Sequence, residues 1–263
     1  MAYEFVKVER KGHLTVLTIN RPEVMNAISP LVSQEMSGAL NEFDRDPEQW
    51  IMIVTGAGDR AFSAGNDLKY TAQHGMEKVQ EQMENVKGGF AGITDRHDCI
   101  KPIIAAVNGL AFGGGFEIAL ACDLIIASEN ALFCLPEARV GLMPGAGGAH
   151  RLPRRIPYHL AMEMILVSSR VSAEEGKNYG FVNKVVPADQ LMSTAEAFAV
   201  EIMKGAPLSI RACKEAVNEG MKYPLSEVIH RVFPATKAMR ESEDTVEGPK
   251  AFAEKRPPQW KGR

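Results

Sequence analysis

Pro102-Ile103-Ile104-Ala105-Ala106-Val107-Asn108-Gly109-Leu110-Ala111-Phe112-Gly113-Gly114-Gly115-Phe116-Glu117-Ile118-Ala119-Leu120-Ala121-Cys122-Asp123-Leu124-Ile125-Ile126-Ala127 is the stretch that decides the fold. Its first six residues are apolar without alternation, which predicts a strand buried on both faces. Three glycines then open Phe116–Ala121, which reads as a helix, and Leu124–Ala127 follows as a second buried strand. Strand, helix and strand in so short a span form a βαβ pattern and imply a parallel sheet.

The flanking sequence extends this pattern. Trp50–Val54 is another continuous apolar run, closed by Gly56–Gly58. Before it, Ser29 followed by Pro30 marks an N-cap with proline at N1. The helix they start is expected to reach about Asp44, with Leu31, Met36, Leu40 and Phe43 on its buried side. Phe5–Val8 and Leu14–Ile19 alternate as paired strands about a Lys11-Gly12 turn. After Pro144 the chain turns largely helical, with helices expected near Pro157, Ser172, Asp189, Pro207, Pro224 and Thr245 and a short strand at Val182–Val186. Residues 70–95 are polar and Met-rich with Gly88-Gly89 near their end, and a helix-loop facing a substrate is expected there. The organisation expected is an α/β core over residues 1–200 and a helical tail over 201–263 that packs on a neighbouring subunit.

Composition narrows the function classes. The chain has 263 residues, 45% hydrophobic and 24% charged, as in an ordinary soluble enzyme. A formal net charge of −3 offers no basic field for nucleic acid or anionic lipid. Cys99, Cys122, Cys134 and Cys213 form no CxxC pair, and three of them sit in or beside apolar runs, which points to a reducing compartment. The N-terminal residues carry neither a signal-peptide nor a transit-peptide pattern, and no apolar run reaches about 18 residues. A cytoplasmic location and no membrane association are expected.

Two glycine-bearing loops follow apolar strands: Ala61-Phe62-Ser63-Ala64-Gly65-Asn66-Asp67-Leu68 and Asn108–Glu117. Glycines at a helix start let backbone approach a ligand and leave unpaired N–H groups at the positive end of the helix dipole. Such a place holds an anion or a charge that develops in a transition state; a tight strand–helix crossing would need the same glycines. Glu117 lies in the first turn of that helix among Phe116, Ile118, Ala119 and Leu120. As a dipole partner it contributes about 0.3–1 kcal/mol, but a carboxylate among apolar neighbours is costly unless it is bonded. Glu137 sits between Phe133-Cys134-Leu135-Pro136 and Ala138-Arg139-Val140-Gly141, with Arg139 or Arg151 as candidate ion-pair partners. Two such carboxylates beside glycine loops fit a general acid/base pair as well as they fit ion pairs. Gly145-Ala146-Gly147-Gly148 is expected to pack or to shape the wall of the site. Gly56-Ala57-Gly58-Asp59-Arg60-Ala61 matches the dinucleotide fingerprint only weakly, since no helix and no acidic strand end follow it. The six histidines have no metal-ligand spacing, and neither a GxSxG elbow nor a P-loop lysine motif occurs.

Order and spacing of these pieces resemble the crotonase (enoyl-CoA hydratase/isomerase) superfamily over nearly the whole chain. The matching pieces are Arg21-Pro22 with Asn26-Ala27, Ala64–Asp67, Lys101–Gly109, Gly113–Glu117, Leu135-Pro136-Glu137, Pro144–Gly148 and Ala251–Arg256. The resemblance implies a spiral of ββα units with a helical C-terminal trimerisation region, assembled as a trimer or a dimer of trimers. It implies an oxyanion hole of two backbone N–H groups, at Asn66 and Gly114, that stabilises the enolate of an acyl-coenzyme A thioester. It also implies roles for the glutamates of a hydratase: Glu137 exchanges the proton at the α-carbon, and Glu117 activates the water that adds at the β-carbon. Coenzyme A, part of the substrate and not a separate cofactor, would lie along Met25, Ala27, Ala64, Asp67 and Leu68, with Phe252 and Lys255 of an adjoining subunit. Phe90-Ala91-Gly92, Phe112–Glu117 and the Trp260-Lys261-Gly262-Arg263 ending resemble the carnitinyl-CoA dehydratase-like members, while Pro144-Gly145-Ala146-Gly147 looks more like the general enoyl-CoA hydratases. An isomerase or thioester hydrolase on the same scaffold and a non-catalytic RNA-binding member are the competing readings; the net charge and both glutamates speak against the last.

Overall fold

The structure, a computed structural model, describes residues 3–263. β1 (Val6–Lys11) and β2 (Leu14–Ile19) form the antiparallel hairpin that the alternation predicts. β2 then pairs in parallel with β3 (Ile51–Gly56), β3 with β5 (Ile103–Val107), β5 with β7 (Leu124–Ser128), and β7 with β10 (Lys184–Val186). This six-stranded sheet has the order β1-β2-β3-β5-β7-β10. Its interior strands are apolar throughout because both faces are covered.

A second sheet, of order β4-β6-β8-β9, is built from short strands that the sequence reading treats as loop. They are β4 (Ala61–Ser63), β6 (Leu110–Phe112), β8 (Leu132–Cys134) and β9 (Val171–Ser172). Each of β3, β5 and β7 is thus followed by a short strand that crosses to the second sheet, and then by a helical segment. That repeat is the ββα spiral. Phe62, Phe116, Phe133 and Phe181 fill the space between the layers. The opposite face of the large sheet, with Val16, Ile53, Ile104 and Ile126, is covered by Leu191, Ala195 and Ala199 of the helix Leu191–Met203.

α1 (Pro30–Arg45) starts as expected, with the Ser29 side chain accepting from Val32 N–H. Its buried stripe is Val32, Met36, Leu40 and Phe43, and Leu31 is 37% exposed, contrary to the sequence reading. The period of 3.6 residues begins at Val32, so Leu31 falls about 100° off the stripe. The 70–95 region contains α2 (Leu68–His74) and α3 (Met76–Met83), followed by an irregular glycine-rich segment. α4 (Gly114–Ala121) is the helix opened by the three glycines.

The C-terminal helices Pro207–Gly220, Leu225–Val228, Pro234–Arg240 and Asp244–Ala253 carry exposed apolar residues, among them Met221, Leu225, Ile229 and Phe252. The chain end is tied back by Asp244, whose carboxylate accepts from Lys261 and Gly262 N–H, and by Trp260, whose Nε1 donates to Lys204 O. No helix among the described residues is long and apolar enough to cross a membrane.

Candidate active site

The first glycine loop is tied by backbone pairing to the Met25–Ile28 turn. Ala64 N–H donates to Met25 O, Ile28 N–H to Gly65 O, and Asp67 N–H to Ile28 O. Arg21 clamps the same place, with one guanidinium nitrogen 2.7 Å from Ala27 O and 2.9 Å from Asp67 Oδ2. Asn26 is fully buried with φ +54°; its amide nitrogen donates to Ala57 O and Ala61 O, and its side-chain oxygen accepts from Arg21 N–H. Buried asparagine is one of the few non-glycine residues that tolerates this conformation, because its side chain takes over the bonds of the turn. These contacts place Met25 and Ala27 beside Ala64, Asp67 and Leu68.

Gly65 and Gly114 meet backbone to backbone. A Cβ at Gly65 would lie 2.6 Å from Phe112 O and 2.7 Å from Gly114 N, so only glycine permits the approach. Gly113 takes φ 54°, ψ −125°, a glycine conformation, and turns the chain into α4. Among the described residues neither Asn66 N–H nor Gly114 N–H donates to another backbone group. Both residues line a cavity of about 260 Å³ that also contains Glu117 and Glu137. Two free N–H groups, one of them at a helix N-terminus, give that cavity a place for an oxyanion.

The two carboxylates differ in their surroundings. Glu117 is 3% exposed. Its Oε1 accepts from Gly148 N–H at 2.8 Å. Burial pushes its pKa up to about 7 and the charge of Glu137 adds to this, while the Gly148 and Ala146 N–H groups and Arg151 oppose it. Glu137 begins the short helical turn Glu137–Val140 beside Gly113. Its Oε2 is buried with no hydrogen-bond partner, and burial raises its pKa also. The ion pairs weighed from the sequence are not formed. Arg139 donates to Val167 O, and Arg151 donates to Ala146 O and Thr94 O. Both arginines complete the backbone of nearby turns.

The rest of the lining is mostly apolar, with Val79 and Met83 of α3, Phe90, Leu142 and Met143 beside Ser29 and Ser33. The 70–95 segment thus reaches the cavity, as expected. The Gly145–Gly148 stretch shapes the wall and also supplies the N–H donors of Glu117, a role that glycine and alanine residues do not disclose in a sequence. Arg21 and Phe90 stand in the sequence only as parts of motifs, because Arg21 meets Asp67 and Phe90 meets Gly114 only through the fold. Phe252 and Lys255 are exposed on the C-terminal segment and do not line this cavity.

The enoyl-CoA hydratase/isomerase family model matches residues 9–263. A carnitinyl-CoA dehydratase of Salmonella typhi is 44% identical over 268 residues, covering 99% of each chain. Among solved structures, an enoyl-CoA hydratase of Mycobacterium tuberculosis H37Rv is 37% identical, with a TM-score of 0.90 over 98% of this chain and 99% of that one. An enoyl-CoA hydratase of Bacillus anthracis is 35% identical, with a TM-score of 0.92 over 99% and 100%. The chain belongs to the enoyl-CoA hydratase/isomerase family and has its crotonase fold.

Proposed function

We propose that this chain catalyses the reversible addition of water across the 2,3-double bond of a 2-enoyl-CoA thioester. The thioester oxygen accepts from Asn66 and Gly114 N–H, and these donors hold the charge of the enolate that forms when water adds at C3. Glu117 takes the proton of the attacking water, and Glu137 delivers a proton to C2. In the dehydration direction the two roles reverse.

The observation that carries this reading is the shared cavity: Asn66, Gly114, Glu117 and Glu137 all line it, so one bound thioester can meet both carboxyl groups and both N–H groups. Burial raises the pKa of both carboxyl groups, which suits them to proton exchange with a substrate. The division of roles between them follows the family resemblance.

Coenzyme A lies along Met25, Ala27, Ala64, Asp67 and Leu68, and Phe252 and Lys255 reach it from an adjoining subunit of a trimer or dimer of trimers. The exposure of Phe252 supports this, since an aromatic side chain so bare is suited to a partner or ligand.

A second reading, dehydration of carnitinyl-CoA, is favoured by the relatives at 44% identity. Phe90, Met83 and Met143 line the cavity, and aromatic faces and polarisable sulfur suit a trimethylammonium group. Turnover of crotonyl-CoA and crotonobetainyl-CoA, followed as formation of the 3-hydroxyacyl-CoA by mass spectrometry, tests both. Hydration of either supports the reaction, and the ratio of kcat/KM selects the acyl group. Formation of neither hydroxyacyl product, with thiol release or double-bond migration instead, refutes the proposal.

A further inference from the structure

Phe90 stands between two cavities. The cavity holding Glu117 and Glu137 is about 260 Å³, and the outer one is about 630 Å³ and lined by Thr94, Asp95, His150, Arg151 and Arg154 among others. The residues common to both linings are Phe90, Gly145 and Ala146. Of these three, only Phe90 has a side chain large enough to act as a partition. Its ring also rests on Gly114, where an added Cβ would lie 2.5 Å from ring Cε1 and 2.6 Å from Cζ. An acyl chain leaving a carbonyl bound at Gly114 N–H therefore meets this ring.

The backbone that carries Phe90 is locked at some cost. Gly88, Gly89, Ala91 and Gly92 all have positive φ, and at Ala91, with φ +54°, the conformation is strained. The surroundings over-determine it. Ala91 N–H donates to Ser33 Oγ, and Arg96, itself buried, donates from Nε to Gly92 O and from its terminal nitrogen to Lys87 O. A Cβ at Gly92 would lie 2.5 Å from Ser37 Cα, so the segment is pressed onto α1. Strain held in place by so many bonds keeps one side chain at one position, and that side chain is Phe90.

We infer that Phe90 is the acyl-length stop of this enzyme: its ring closes the catalytic cavity against the outer one and restricts the site to short acyl groups. The inference rests on the hydratase reading above. Removal of the ring joins the two cavities and admits longer chains.

The test is kcat/KM for trans-2-enoyl-CoA substrates of four, six, eight and ten carbons, with wild type, Phe90→Ala and Phe90→Leu. Wild type is expected to favour the four-carbon substrate. Phe90→Ala is expected to raise the ten-to-four-carbon ratio by about tenfold or more, given what single methylenes are worth in a closed pocket. Phe90→Leu is expected to raise it less. Because the ratio is internal to each variant, a general loss of activity does not mimic the result. If Phe90→Ala does not fold, the Leu variant and the wild-type series still decide. A wild type that takes ten carbons as well as four, or a ratio unchanged within about twofold in every folded variant, overturns the stop. A wild type that hydrates none of the substrates overturns the functional reading itself, which separates the two failures.

Discussion

Replacing Glu117 by glutamine should abolish most turnover and yet stabilise the fold. The carboxylate is 3% exposed and its pKa is pushed from the ordinary 4.5 up to about 7. The unfolded chain therefore releases this proton near 4.5, while the folded chain holds it to about 7. Between those values the native state binds more protons, so stability falls as pH rises. That gap, at about 1.4 kcal/mol per pH unit, puts the cost of the buried anion at about 3 kcal/mol above pH 7. Glutamine keeps an oxygen for Gly148 and Ala146 N–H but never ionises. In denaturant melts Glu117→Gln is expected to exceed wild type by about 3 kcal/mol at pH 8 and by less than about 1 kcal/mol at pH 5. Hydration of crotonyl-CoA is expected to fall by about 10²–10⁴-fold, the usual worth of a positioned acid or base. A variant that keeps turnover within tenfold of wild type would show that Glu117 is not the base, and one that is less stable than wild type at pH 8 would show that it is not a costly buried anion.

Further outcomes follow from the same geometry. The pH profile of kcat/KM for hydration should show an acid limb with a midpoint near 7, where Glu117 gains its proton, and this limb should be absent from the residual activity of Glu117→Gln. Gly65→Ala places a Cβ against Phe112 O and Gly114 N and forces φ +84° on alanine. It should spread the oxyanion donors and lower kcat by about 10²–10³-fold, read by steady-state kinetics on soluble protein. Arg21→Ala removes the clamp on Ala27 and Asp67. If these loops hold coenzyme A as proposed, the substitution should raise KM for the thioester by about tenfold.

Much of this arrangement is legible in the sequence because it is local. The buried strands announce themselves as unbroken apolar runs, and Gly113–Gly115 with Glu117 marks the strand–helix turn of the site. Ser29-Pro30 likewise fixes the start of α1. The second sheet is not legible, because strands of two or three residues such as β4 and β9 carry no periodicity and are held only by neighbours from distant turns of the spiral. The partners of Glu117 are backbone groups 29 to 31 positions away, which side-chain chemistry cannot reveal. The arginines beside Glu137 look like ion-pair partners along the chain, yet they turn to carbonyls of other segments and leave the acid alone. Phe90 has no chemical signature of its own; only its strained backbone and the two cavities single it out.

In the proposed reaction water adds across C2 and C3 of an enoyl thioester, and Glu137 delivers the C2 proton. Reaction of crotonyl-CoA in ¹⁸O-labelled D₂O, followed by mass spectrometry, distinguishes this from every alternative on the same scaffold. The expected product is a 3-hydroxyacyl-CoA carrying one ¹⁸O at C3 and one deuterium at C2, and it is expected to be lost in Glu137→Gln. A migrated double bond without ¹⁸O, or free coenzyme A with ¹⁸O in a released carboxylate, would rule the hydration out.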